Sequence, residues 1–65
     1  MKGIIDRLIH EMIDKGIKLE EAKKEFEKKF IAAALEKSSG NRSKAARVLG
    51  VHRNTISNKI SNLKI

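Results

Sequence analysis

The residues of this chain best fitted to chemistry lie between Asn41 and Lys64, and the chemistry they suit is hydrogen bonding rather than bond making. Arg53, Asn54, Thr55, Ser57, Asn58, Ser61 and Asn62 put amides, hydroxyls and a guanidinium along one short stretch. An Asn amide pairs with adenine through N6 and N7, Ser and Thr hydroxyls meet several base edges, and Arg bridges guanine or a phosphate. The same stretch is cationic without compensation. Residues 38–65 carry Arg42, Lys44, Arg47, Arg53, Lys59 and Lys64 and no Asp or Glu, a net +6, whereas residues 1–37 hold nine basic and eight acidic residues, net +1. A merely solvated surface mixes the two signs, so the exclusion of acid points to a polyanionic partner. A lipid surface fits less well, because a membrane-lying helix needs a bulky apolar face.

Nothing in the sequence points to catalysis. There is no Ser-His-Asp constellation, paired carboxylate, Walker loop or metal-ligand spacing. Cysteine is absent, and the two histidines, His10 and His52, are far apart in sequence. No cofactor, metal or small-molecule substrate is expected, and the chain reads as a non-enzyme. No apolar run reaches the roughly 18 residues of a membrane span, and Met1-Lys2-Gly3 does not open a signal peptide. A soluble, cytoplasmic, nucleoid-associated protein is the expectation.

The elements that must position these residues follow from apolar period and glycine punctuation. Gly16 and Gly40 sit where helix C′ residues are expected. Gly50 marks a turn that commonly needs positive φ. The pattern predicts an all-α domain of four helices over roughly 3–15, 19–38, 42–49 and 53–63. Residues 1–37 would form two dimerisation helices and residues 38–65 a helix-turn-helix, since two short helices joined by a Gly turn follow that plan. In the third predicted helix Ala45, Val48 and Leu49 are expected inward with Ala46 beside them. In the fourth, Ile56, Ile60 and Leu63 form one narrow stripe. Six of the eleven residues over 53–63 are poor helix formers, a local cost that makes sense where an exposed face must hydrogen-bond a partner.

The first predicted helix is too apolar for a monomer. Ile4, Ile5, Leu8, Ile9, Met12 and Ile13 cover an arc of about 180° at 100° per residue, where a surface helix needs about 100°. In the second, Leu19, Ala22, Phe26, Phe30 and Ala33 form one stripe, and Ile31 and Leu35 begin another rotated by more than about 100°. The first stripe is expected to pack on the first helix and on a second protomer, and the second on the chain's own C-terminal helices. A small domain of 65 residues without disulfides commonly gains stability in this way. The expected dimer interface is Ile5, Leu8, Ile9, Met12, Ile13, Leu19, Ala22, Phe26 and Phe30. Asn41 is a good N-cap for the third helix, and the free amides behind such a cap also bind phosphate.

The run Ser39-Gly40-Asn41-Arg42-Ser43-Lys44-Ala45-Ala46-Arg47-Val48-Leu49-Gly50-Val51-His52-Arg53-Asn54-Thr55-Ile56 resembles the signature of Fis-type helix-turn-helix domains. These include the nucleoid protein Fis and the C-terminal domains of NtrC-like, sigma-54-dependent activators. The similarity is strong over 29–63 and loose over 1–28. It implies an intertwined homodimer on double-stranded DNA, with the fourth helix in the major groove of each half of an inverted repeat. It further implies phosphate contacts from Asn41, Ser43, Lys44 and Thr55, base-edge positions for Arg53, Asn54 and Asn58, and a backbone contact from Lys59. Ser57 and Asn58 stand where Fis carries Arg and Lys, and His52 occupies an N-cap position that is often Ser or Asn. The arm of Fis has no counterpart, so the resemblance leans to the sigma-54 activator type or a small stand-alone relative, with linked regulatory or ATPase domains if the chain is a fragment. An architectural DNA-bending protein and a helical protein-interaction module remain as alternatives.

Overall fold

Helix-forming residues with apolar period, broken at glycines, give four helices in the computed structural model, which describes residues 3–65. They are α1 (Ile4–Asp14), α2 (Leu19–Lys37), α3 (Arg42–Leu49) and α4 (Arg53–Leu63). Each lies within one residue of its sequence expectation. The expected first helix began at Gly3, which instead caps α1 with φ 98°; Met1 and Lys2 fall outside the described residues.

The core is small and sits wholly in the C-terminal part. Ile31 and Ala34 of α2, Ala45 and Ala46 of α3 and Ile56 of α4 are buried. Leu35, Leu49, Ile60 and Leu63 pack around the cluster of Ile31, Ala46 and Ile56. Methyl side chains at Ala45 and Ala46 are what let α3 approach both α2 and α4, and these three helices pack on one another in every pairing. Ile56, 1% exposed, is the largest fully buried side chain, and burying it stabilises the unit by about 1.5–3 kcal/mol. The narrow stripe expected on α4 is the one observed.

Two local expectations are corrected. Val48 points out of the core and is 68% exposed, while Ala46 takes the inward place; the approach of α2 and α4 to α3 leaves room for a methyl on that side and leaves the valine at the surface beside Phe30. The end of α2 is one residue earlier than Gly40 predicted. Ser39 itself adopts φ 53°, followed by Gly40 at φ 80°. Ser39 N donates to Glu36 O at 3.1 Å and Gly40 N to Leu35 O at 2.8 Å. This is the paired closure that satisfies the last carbonyls of a helix.

α1 stands apart. No residue in it is buried, and it lies outside the three-way packing of α2, α3 and α4. It borders the N-terminal half of α2, where Ile9, Met12 and Ile13 face Leu19 and Ala22 across a shallow cleft.

Candidate nucleic-acid interface

The turn between α3 and α4 is built by Gly50 and closed by the backbone. Gly50 has φ 72°, and an added Cβ would meet nothing within 4 Å, so the left-handed conformation rather than space requires glycine. Val51 N donates to Ala46 O at 2.9 Å, which turns the chain directly into α4.

Both helices of this unit start with a side-chain cap. Asn41 Oδ1 accepts from Lys44 N at 3.0 Å, as expected of an Asn at that place. His52 Nδ1 accepts from Asn54 N at 3.1 Å, and the imidazole orders the first turn of α4. Behind Asn41 the exposed Ser43 and Lys44 flank the free amides of α3, where helix dipole and N–H groups together favour an anion.

On α4 the exposed surface is almost purely amide and hydroxyl. Arg53, Asn54, Thr55, Asn58, Ser61 and Asn62 are exposed, and Ser57 is half-buried at the edge of that face rather than fully outward. Asn54 and Asn58 lie about 40° apart around the helix and Ser61 about 20° from Asn54. Opposite them run Ile56, Ile60 and Leu63. The face is therefore held rigidly from behind while its polar groups remain free.

Lys59 belongs elsewhere. Its Nζ donates to Glu27 Oε2 of α2 at 2.7 Å, and both side chains are partly covered. It sits about 140° from Asn54 and about 100° from Asn58, on the flank that meets α2. The hydrogen bond from Lys59 is the main reason the Glu27 carboxyl lies below its ordinary value; burial opposes it, and the positive charges of Lys59 and Lys23 add to the lowering. The side chain expected to contact the DNA backbone is here engaged in an intramolecular ion pair. Glu27 was not singled out from the sequence, because 32 residues separate it from its partner and no local spacing announces the pair.

The expected dimer residues are brought onto one end of the molecule and left largely uncovered. Leu8, Ile9, Ile13, Leu19, Phe26 and Phe30 are exposed together with Ile4, which is 85% exposed. Ile5, Met12 and Ala22 are half-buried. Phe26 and Phe30 stack with ring centroids 5.3 Å apart. The patch continues past Phe30 onto Val48 and Val51, neither of which the sequence pattern had placed there.

Among the described residues no group of three or more His, Cys, Asp and Glu is placed to hold a metal ion, and no helix is long and apolar enough to cross a membrane. The family model for bacterial regulatory proteins of the Fis family matches residues 24–63, which takes in most of α2 and all of α3 and α4. No curated protein and no solved structure gives a significant match.

Proposed function

The chain belongs to the Fis family of bacterial regulatory proteins, and on that premise we propose that it binds duplex DNA as a homodimer and reads an inverted repeat. The observation that carries this reading is the face of α4. It is an acid-free row of amides and hydroxyls, backed by the Ile56 stripe and opened by a capped first turn at Arg53 and Asn54. The N-terminal end of such a helix is the part that reaches base edges.

Each side chain then has a task. Arg53, Asn54 and Asn58 meet base edges in the major groove, with Ser57 at the margin of the face. Asn41, Ser43, Lys44 and Thr55 hold phosphates and fix the register, since backbone contacts position and base contacts specify. His52 caps the helix through Nδ1 and faces the backbone with its other ring nitrogen. The second protomer covers α1 and the Leu19, Phe26 and Phe30 stripe, a reading supported by the exposure of that apolar surface. The signature over 39–56, with Ser57 and Asn58 where Fis carries Arg and Lys, favours the DNA-binding domain of a sigma-54-dependent activator, or a small stand-alone relative, acting on the nucleoid in the cytoplasm.

Selection from a randomised duplex library tests this. An inverted repeat should be enriched. Replacing Arg53 and Asn54 together by Ala should lower the preference for it by roughly tenfold or more, at about 1–3 kcal/mol for each good base contact, with helicity and mass unchanged. Retention of DNA without enrichment of any site would favour the architectural reading instead. Failure to retain DNA at any salt concentration would favour a protein-interaction module.

A further inference from the structure

The ion pair between α2 and α4 bears on how tightly the domain holds DNA of any sequence, an inference that rests on the DNA-binding reading above. Lys59 is four residues after Thr55, hence about 40° from it on the helix and on the same flank. Thr55 is one of the side chains assigned to the phosphate backbone. A lysine one turn further along that flank stands beside the side chain assigned to phosphate. Instead its Nζ is drawn back to Glu27 Oε2 at 2.7 Å. No other ion pair among the described residues joins two different helices: Lys23 with Glu20 and Lys29 with Glu25 are both internal to α2. Glu27 also falls between the two stripes of α2, next to Phe26 of the apolar patch and one turn before the buried Ile31. From there its carboxylate reaches Lys59 of α4 while staying partly exposed.

We propose that Glu27 withholds Lys59 from the phosphate backbone and so sets the sequence-independent part of DNA affinity from α2. Non-specific binding is almost entirely phosphate neutralisation, and a freed lysine finds a phosphate in any docking pose. In the site-bound pose, where base contacts fix the orientation, it has less choice. The gain on releasing Lys59 is therefore at least as large on unrelated DNA as on the selected site, and the pair acts in favour of discrimination.

The test is fluorescence anisotropy on a duplex without the selected site, across a salt series, for four forms of the whole chain: wild type, Glu27→Gln, Lys59→Gln and the double variant. Each additional neutralised phosphate steepens log K against log salt by about 0.9. Glu27→Gln should steepen the slope by about that much per protomer and tighten binding several-fold. Lys59→Gln alone should change neither quantity, and in the Lys59→Gln background Glu27→Gln should have no effect. A loss of slope in Lys59→Gln would overturn the proposal, because the lysine would already be on DNA. Persistence of the Glu27→Gln effect without Lys59 would also overturn it, by tracing the effect to removal of a nearby negative charge. Absence of DNA binding in all four forms would instead remove the reading on which the proposal stands, and circular dichroism on each variant separates these outcomes from unfolding.

Discussion

The two ends of this molecule treat their apolar residues in opposite ways. Around α3 and α4 most apolar side chains pack within their own chain; of the exposed ones, Val48 and Val51 border Phe30 and Ile65 ends the chain. Along α1 and the first half of α2 large apolar side chains are abundant and none is buried. Charge divides along the same line, with balanced signs before residue 38 and only cations after it. The lesson is that one chain states two kinds of incompleteness. Apolar surface without a neighbour asks for another protein surface, and cationic surface without acid asks for an anion.

If that contrast is right, the largest effect comes from charging the first surface. Leu8→Asp with Phe26→Asp should leave the fold of a protomer intact, since both side chains are exposed within it. Dimerisation should weaken by several kcal/mol, at about 1.5–3 kcal/mol for each buried Leu or Phe. Analytical gel filtration over a dilution series reads this directly. Ile56→Ala attacks the other end. It removes the largest buried side chain and should cost about 2–5 kcal/mol, a large share of the stability of any small domain. Thermal unfolding followed by circular dichroism measures the loss.

Smaller effects sharpen the comparison further. Asn41→Ala deletes the cap of α3 and should cost about 1 kcal/mol, with weaker binding to every DNA sequence alike if the same N-terminus holds a phosphate. Denaturant melts and anisotropy on selected and unrelated duplexes separate the two contributions. The smallest effect is that of pH on Glu27. Its carboxyl is held below the ordinary value of 4.5 by Lys59, so the pair contributes fully above that value and its contribution fades as pH falls through the lowered one. Acid melts of wild type should therefore lose a small increment that Glu27→Gln, already lacking the pair, does not show.

Much of this architecture was legible in the sequence because its signals are local. Glycines after apolar-periodic runs marked three of the helix ends, and Asn41 and the Ile56, Ile60, Leu63 stripe followed from spacing alone. What escaped depends on how helices meet. Val48 has the period of an inward residue, yet the close approach allowed by Ala45 and Ala46 turns it outward. Ser39 takes the left-handed position one residue before the glycine that sequence rules favour. The resemblance implied a DNA contact for Lys59, and only the packing of α4 on α2 brings its Nζ to Glu27. The exposed face of α4 was legible for a different reason: its poor helix formers depart from what local stability alone would select.

The claim that joins both ends is that two copies of this chain, meeting through the uncovered apolar surface, present two recognition helices to one duplex. Sedimentation equilibrium measures it most directly, first on the protein alone and then with a duplex carrying the selected inverted repeat. Two protomers are expected in each case, so the free protein should have twice the 7.3 kDa chain mass and the complex one duplex with one dimer. A free species of single-chain mass that also binds the duplex singly, with Leu8→Asp and Phe26→Asp making no difference, would contradict it.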